Sequence, residues 1–298
     1  MHLINQYKGL GVAVVTPFLS TGEVDYTNLE ELANHLIHSG VDYLVALGTT
    51  GETPTLTDEE KHKIVRTLVQ VNQNRVPIIV GMGGPSTHCI LQQFKTFDFS
   101  GVCAILSVTP YYNKPTQTGL IEHYQMLAAH APLPVILYNV GTRTGCNIEP
   151  DTALKLAEHE NIIGIKEASG MMNQIMYLVK HKPEDFLVIS GDDAITLPLM
   201  AVGIDGLISV TANAFPSEMA QMIHLAQEEK FINAAEIHYK LLDIIQACFK
   251  EGSPAGVKTF LALQNRIEYY LRSPLTRVSG EHQEFIKKLL SSYKSPNE

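Results

Sequence analysis

Residues 161–170 read NIIGIKEASG, an apolar run that closes on a lysine and a glutamate. If the run is a β-strand, its alternating faces place Ile162 with Lys166 and Ile163 with Glu167. A lysine ammonium is costly to remove from water, so Lys166 is either a structural residue at a strand end or a group kept for chemistry. The stretch alone favours the structural interpretation, and the rest of the chain has to decide.

Seven other short apolar runs alternate with longer segments of helical period. The eight strand candidates are residues 11–18, 43–48, 77–81, 102–107, 134–139, 162–168, 186–191 and 206–211. Strict alternation implies parallel strands joined by right-handed crossovers, and eight such units predict a (β/α)8 TIM barrel, an α/β fold. A doubly wound open sheet is the alternative. It normally carries a glycine-rich phosphate loop after its first strand, and residues 19–23 read LSTGE.

A helical tail follows the barrel pattern. Residues 233–250, 255–266 and 282–293 predict three further helices, separated by GSP at 252–254 and RSP at 272–274. These separators are turn signals rather than a linker, so the tail is expected to pack on the barrel. The sequence therefore predicts a catalytic barrel over residues 1–228 and a C-terminal helical extension over residues 229–298.

Composition narrows the class of partner. The net charge of -9 argues against a nucleic-acid or anionic-membrane surface, since either would require a basic face. The four cysteines contain no CxxC pair and the twelve histidines no HExxH motif, so neither a disulfide framework nor a metal site is expected. Without a membrane-length apolar run or a secretory leader, the chain is expected to be cytoplasmic and to act on small molecules.

Polar residues collect where the predicted strands end, which is where a barrel builds its active site. Residues 48–52, GTTGE, are either an ordinary turn or an anion site of hydroxyls and backbone N–H groups. Residues 109–115, TPYYNKP, hold two tyrosines on a proline-stiffened loop, which is typical of a site or an interface. Tyr138 ends the fifth strand as a candidate acid or base, or as a buried structural tyrosine. Lys166 ends the sixth strand.

Five segments together resemble a known family. They are GTTGE at 48–52, TPYYNKP at 109–115, YNVGTRTG at 138–145, GIKEASG at 164–170 and SGDD at 190–193. In these segments the chain resembles the pyruvate-dependent Schiff-base lyases of the dihydrodipicolinate synthase and N-acetylneuraminate lyase superfamily. The resemblance extends over residues 11–213, which is the whole predicted barrel.

The resemblance assigns catalytic roles residue by residue. Lys166 would form an imine with the keto carbon of pyruvate, and this covalent imine is an electron sink that needs no separate cofactor. Tyr138 would move protons at that centre through a hydroxyl relay formed by Thr49 and Tyr112. In this family the second tyrosine of the pair reaches into the neighbouring subunit's site, so Tyr112 implies a homo-oligomer, and the family implies a tetramer built as a dimer of dimers.

The resemblance also assigns binding roles. Thr49 and Thr50 would hold the pyruvate carboxylate, and Arg143 would clamp the carboxylate of the second substrate with its planar fork. Gly191 and Ile208 would line the pocket through backbone groups. Glu167 is expected to face away from the pocket and to be silent in catalysis.

The segment YNVGTRTG favours the branch of the family that uses L-aspartate 4-semialdehyde as the second substrate and makes 4-hydroxy-tetrahydrodipicolinate for diaminopimelate and lysine synthesis. Cleavage of a 2-keto-3-deoxy sugar acid or of N-acetylneuraminate by the same imine is one alternative. A non-catalytic pyruvate-binding protein on the same scaffold is another. The intact set of lysine, tyrosines and threonine argues against the last.

Two departures from the family pattern qualify these expectations. Gly141 stands where family members usually carry proline, which loosens the loop before Arg143. Lysine-inhibited members bind their effector through an asparagine and a glutamate, whose positions correspond here to Pro85 and Cys89. Neither replacement offers a carboxylate to an ammonium group, so the sequence predicts that free lysine inhibits this protein poorly.

Overall fold

The computed structural model describes residues 4–294 and confirms the predicted barrel. Eight strands close in chain order into one sheet, and every strand is parallel to both of its neighbours. The strands are β1 Gly9–Ala13, β2 Tyr43–Ala46, β3 Ile78–Gly81, β4 Ala104–Val108, β5 Val135–Asn139, β6 Ile162–Glu167, β7 Leu187–Ser190 and β8 Gly206–Ser209.

Helices cover the outside of the barrel and form the C-terminal extension. They are α1 Tyr26–His38, α2 Asp58–Asn72, α3 Thr87–Thr96, α4 Gln117–His130, α5 Gly141–Thr144, α6 Pro150–Leu156, α7 Met172–His181, α8 Thr196–Ala201, α9 Pro216–Gln227, α10 Phe231–Phe249, α11 Ala255–Leu263 and α12 Gly280–Lys294. The capping residues of α2 illustrate how the sequence sets a helix start. Thr57 accepts from the N–H of Glu60, whose side chain accepts in return from the N–H of Thr57.

The first strand begins and ends earlier than the predicted residues 11–18. The N–H of Val14 still donates to the carbonyl of Val45 in β2 at 3.0 Å, but the bonds of the next residues go to a side chain and a turn. The N–H of Val15 donates to Oδ1 of Asn213 at 3.0 Å, and the hydroxyl of Thr16 donates to the carbonyl of Gly51 at 2.7 Å. The apolar residues after Ala13 are therefore buried without being part of the strand.

The sixth strand contains an irregularity that the alternation rule did not anticipate. Val135 of β5 pairs with Ile162, but the next residue, Ile136, pairs with Gly164. Ile162 consequently packs in the cluster between barrel and helices, whereas Ile163 packs against the barrel interior. The predicted faces of these two isoleucines were wrong, because one extra residue in a strand exchanges the faces on either side of it.

Two apolar clusters divide the core. The larger lies between the strands and the helices, and the smaller fills the barrel with residues such as Val45, Leu106, Ile136, Ile189 and Ile208. Because side chains fill the barrel interior, the space for a ligand lies at the carboxyl ends of the strands.

The C-terminal helices pack on the barrel helices. Helix α10 packs against α8 and α9, and α11 and α12 pack against α10. The hydroxyl of Tyr293 in α12 reaches Glu218 in α9 at 3.1 Å. The boundary between residues 228 and 229 stays a prediction, and residues 1–3 and 295–298 of the two predicted domains lie outside the described residues. Within residues 4–294 no helix combines the length and apolarity needed to cross a membrane.

Asn213 joins the first and last strands and yields a stability prediction. Its amide donates to the carbonyls of Ala13 and Val210, and its Oδ1 accepts from Val15. We expect Asn213→Ala to lower the free energy of unfolding in urea by about 2–4 kcal/mol, because buried backbone groups lose their partners. The control is Asn233→Ala on the exposed face of α10. Equal stability of the two variants would contradict this role.

Candidate active site

Lys166 and Tyr138 lie side by side at the carboxyl ends of β6 and β5. The strand register pairs the two residues directly. Both side chains are buried, with 5% and 7% of their surface exposed. The ammonium nitrogen of Lys166 is 4.4 Å from the centre of the Tyr138 ring. An amine and a phenol are therefore held together at the mouth of the barrel, which suits a nucleophile and an acid or base.

A cavity of about 540 Å³ opens over this pair. It brings together six of the eight predicted site residues, namely Lys166, Tyr138, Thr49, Thr50, Arg143 and Gly191. These residues come from the ends of β2, β5, β6 and β7, far apart in the chain. The convergence supports the sequence-based choice of these six, and their individual roles remain proposals.

The turn that carries Thr49 and Thr50 is a short 3-10 segment, Thr49–Gly51, directly after Gly48. Thr50 is buried, and Thr49 is half-buried on the cavity wall. The hydroxyl of Thr53 donates to the carbonyl of Gly48 at 2.9 Å. The hydroxyls of Thr53 and of Thr16, which donates to the carbonyl of Gly51, thus hold the two ends of the turn in place.

Arg143 lies on the rim of the cavity in the short helix α5. The N–H of Gly145, in the left-handed conformation with φ 67°, donates to the carbonyl of Gly141 at 2.9 Å and closes this helical turn. The guanidinium of Arg143 is exposed and reaches the carbonyl of Ser253 at 3.4 Å. Its remaining donors are available to an anion. That Gly141 weakens substrate positioning stays a prediction.

Gly191 makes room for the lysine. A Cβ atom at this position would lie 2.8 Å from Cε of Lys166 and 2.7 Å from Cβ of Ala168. Both separations are shorter than van der Waals contact. Only glycine therefore lets the lysine side chain pass the end of β7 into the cavity.

The structure does not bring two predicted residues to the cavity of this chain. The side chain of Tyr112 is 92% exposed, on a loop where its φ is 74°. Ile208 packs inside the barrel with 1% exposure and is not part of the cavity wall, where Val210 lies instead. Within residues 4–294 no hydrogen bond joins Tyr138 to Thr49, so the proposed relay is not closed within this chain.

Asp192 and Asp193, which follow β7 in the SGDD segment, do not cap the next helix. Helix α8 begins after Ile195, which makes no side-chain capping bond. Asp192 lies on the cavity wall. Asp193 is buried and its Oδ2 accepts from the N–H groups of Val210 and Thr211 at 3.1 and 3.2 Å. Burial raises the pKa of the Asp193 carboxyl, while these hydrogen bonds oppose the rise.

Sequence reasoning missed the wall contributed by the C-terminal extension. Gln246 and Phe249 of α10, together with Lys250 and Ser253 after it, line the cavity opposite the strand ends. The only local signal was the GSP turn at 252–254, which does not indicate a direction. Among the described residues the charged lining consists of Arg143, Lys166, Lys250 and a single carboxylate, Asp192, so the cavity suits anionic ligands.

Glu167 faces away from the cavity as predicted. Its carboxylate accepts from the amides of Asn139 and Gln174 at 3.0 Å and from the N–H of Ser169 at 2.7 Å. These bonds tie the ends of β5 and β6 to α7. Its silence in catalysis stays a prediction.

Residues 6–293 match the Dihydrodipicolinate synthetase family. The chain belongs to this family. The family resemblance noted in the five sequence segments is thereby confirmed over almost the whole chain.

Individual relatives agree with the family assignment. The 4-hydroxy-tetrahydrodipicolinate synthase of Azobacteroides pseudotrichonymphae is 46% identical over 97% of this chain and 98% of its own. That of Flavobacterium psychrophilum is 47% identical over 92% and 94%. The crystal structure of the chloride-inhibited dihydrodipicolinate synthase from Acinetobacter baumannii, complexed with pyruvate, is 39% identical and matches with a TM-score of 0.94 over 96% of this chain and 99% of that chain.

A second cavity, of about 490 Å³, adjoins the first and shares Thr49, Tyr138 and Arg143 with it. Pro85 and Cys89, the two positions that the resemblance relates to lysine inhibition, both line it. Among the described residues none of its lining side chains is a carboxylate.

We therefore expect free lysine to be a poor inhibitor of this family member, because its ammonium group would find no carboxylate at this cavity. The measurement is turnover as a function of lysine concentration. Cys89→Glu supplies a carboxylate at the wall and is expected to lower the half-inhibitory concentration. Half-inhibition of the parent protein by sub-millimolar lysine would contradict the expectation.

Gly191→Ala tests the passage of the lysine side chain. The added methyl group displaces Lys166, and we expect a misplacement of about 1 Å to slow imine formation by about 10- to 100-fold. The measurement is the rate at which borohydride traps pyruvate on the protein. Gly280→Ala is the control, since a Cβ there meets no atom within 4 Å. Identical trapping by both variants would show that the glycine is not needed.

Proposed function

We propose that this protein condenses pyruvate with L-aspartate 4-semialdehyde to form 4-hydroxy-tetrahydrodipicolinate in the route to diaminopimelate and lysine. The observation that carries the proposal is the buried amine of Lys166, 4.4 Å from the ring centre of Tyr138, in a cavity whose charged lining residues are mostly cations. The resemblance to named synthases over more than nine-tenths of the chain supports the same reaction.

The first half of the reaction activates pyruvate. The neutral amine of Lys166 attacks the keto carbon, and the carbinolamine loses water to give an imine. Loss of a proton from the pyruvate methyl group then gives an enamine, because the imine nitrogen accepts the electron pair. Tyr138 is the proton carrier at this centre, and Thr49 and Thr50 hold the pyruvate carboxylate.

The second half joins the two substrates. The enamine carbon attacks the aldehyde carbon of the semialdehyde, and the aldehyde oxygen takes a proton and becomes the 4-hydroxyl group. The substrate's own amino group then attacks the imine carbon, expels Lys166 as a free amine and closes the ring. The imine supplies the electron sink, so the reaction proceeds without a metal ion or organic cofactor.

Arg143 and Asp192 bind the second substrate. The guanidinium of Arg143 can bind its carboxylate with two parallel hydrogen bonds. Asp192 supplies the single carboxylate of the described cavity lining and would receive the substrate's ammonium group before ring closure. Gly191 completes the pocket at the end of β7 through its backbone groups, whereas Ile208 lies below the pocket in the barrel interior.

Tyr112 completes the proton relay from a second copy of the chain. Its side chain is 92% exposed in its own chain and does not line its own cavity, which fits a group that serves a neighbouring site. The proposed assembly is a homotetramer made of two dimers, and the proposed location is the cytoplasm.

Covalent trapping tests the imine. Incubation with pyruvate and borohydride should leave a reduced adduct on Lys166, identified by peptide mass spectrometry. Lys166→Met, which keeps the side-chain length but has no amine, should lose the adduct and turnover completely. Lys155→Met removes an exposed lysine and serves as the control. Lack of an adduct in the parent protein would overturn the mechanism.

Turnover of alternative substrates tests the branch of the family. We expect activity with aspartate semialdehyde and pyruvate to exceed cleavage of 2-keto-3-deoxy sugar acids and of N-acetylneuraminate by several orders of magnitude. The reverse preference, with the adduct intact, would keep the imine and reassign the second substrate.

A further inference from the structure

A buried ion pair lies behind the turn that carries Thr49 and Thr50. The ammonium of Lys258 in α11 donates to Oε1 of Glu52, and both side chains have no exposed surface. Lys258 also donates to the carbonyl of Tyr270 at 3.0 Å and lies 4.4 Å from the centre of the Phe18 ring. Neither charged residue lines the main cavity, so neither contacts the substrates directly.

Stability does not explain such a pair. Two charges lose their hydration on burial, and apolar residues of similar volume often replace a buried ion pair without loss of stability. Burial lowers the pKa of Lys258 to about 8, although Glu52 opposes the shift, so the protein bears a real desolvation cost. A buried pair with that desolvation cost therefore suggests a role in holding neighbouring groups in one geometry.

The geometry of the turn identifies the task. Glu52 directly follows the Thr49–Gly51 segment and has φ 55°, and Leu47 before the turn has φ 53°. Non-glycine residues in the left-handed region are strained and keep that conformation only where their surroundings hold them. The carboxylate of Glu52 is the group through which buried side chains can fix the C-terminal end of the turn.

A second anchor fixes Glu52 from the C-terminal extension. Its Oε2 accepts from the N–H of Arg272 at 3.0 Å. The Arg272 guanidinium forms a fork with the carboxylate of Glu60 at 2.5 and 2.6 Å and donates to the carbonyl of Thr55 at 2.9 Å. In addition to the bond from Lys258, the extension therefore forms several hydrogen bonds with the β2–α2 connection and with the start of α2.

We propose that Lys258 and Glu52 are positioning residues, which set the 48–52 turn for the carboxylate of pyruvate. The proposal rests on the proposed function, because it needs Thr49 and Thr50 to bind that carboxylate. It also assigns the C-terminal extension a second task besides forming one wall of the cavity. The ion pair acts through the backbone of the turn and not on the reacting atoms.

The test is the double variant Glu52→Gln/Lys258→Met. Both replacements preserve side-chain length, Gln can still accept from Arg272, and no unpaired charge is left in the interior. We expect the thermal midpoint to change little, while the pyruvate concentration at half-maximal borohydride trapping rises by about 10- to 100-fold. The trapping rate at saturating pyruvate should stay within about threefold of the parent rate, since Lys166 is untouched.

The matched control is Asp205→Asn/Lys182→Met. This pair, at 3.3 Å and mostly buried, lies at the opposite end of the barrel, where Lys182 follows α7 and Asp205 precedes β8. Asp205 also pairs with the more exposed Lys8 at 3.1 Å. The same pair of substitutions there is expected to alter stability at most. It should leave unchanged the pyruvate midpoint, which is the pyruvate concentration at half-maximal borohydride trapping. A shift of the same size in both double variants would mean a general loss of rigidity and would overturn the positioning role.

Other outcomes are equally decisive. A folded Glu52→Gln/Lys258→Met protein with the parent's pyruvate midpoint overturns the proposal and leaves the proposed function standing. If that variant does not fold, Glu52→Gln/Lys258→Leu, which also leaves no unpaired charge in the interior, takes its place with the same criterion. If the parent protein itself traps no pyruvate on Lys166, the proposed function fails and the positioning role fails with it.

Discussion

The lateral pairing of Tyr138 with Lys166 is the contact on which the site depends. Parallel strands in a closed barrel have a fixed register, so two residues that pair across β5 and β6 cannot slip apart without opening the sheet. The irregularity at Ile163 belongs to the same constraint. It turns Ile162 towards the helices and still leaves Lys166 facing the cavity. The strand therefore contributes an apolar side chain to the outer core at its start and a reactive side chain to the cavity at its end.

Space around the lysine is the second requirement. The amine must cross the end of β7, and Gly191 leaves the room because any Cβ would come within 2.8 Å of Cε. Glu167, the next residue in the chain, points the other way and ties β6 to α7 through Gln174. Adjacent residues of one strand thus serve opposite purposes: one presents an amine to the cavity, and the other fixes the strand that presents it.

Local patterns predicted most of the fold and of the site. Eight apolar runs gave eight strands, and six of eight site residues met at one cavity because parallel strands bring their carboxyl ends together. The failures were cases in which tertiary contacts overrode local preference. Residues 14–18 are apolar enough for a strand, yet Asn213, 198 residues beyond Val15, takes over its backbone bond. Nothing in the SGDD segment shows that Asp193 bonds to the end of β8 rather than to its own helix.

The C-terminal extension shows why some functional relationships appear only in the folded chain. Lys258 and Glu52 are separated by 206 residues, and each in isolation looks like an ordinary charged residue on a helix or a turn. Only their complete burial together distinguishes them, because a solvated pair contributes little whereas a desolvated pair must be held in one geometry. Since the pair adjoins a turn flanked by strained backbone at Leu47, the extension and the barrel are best understood as one catalytic unit, in which the helices added after β8 help to shape the end of β2.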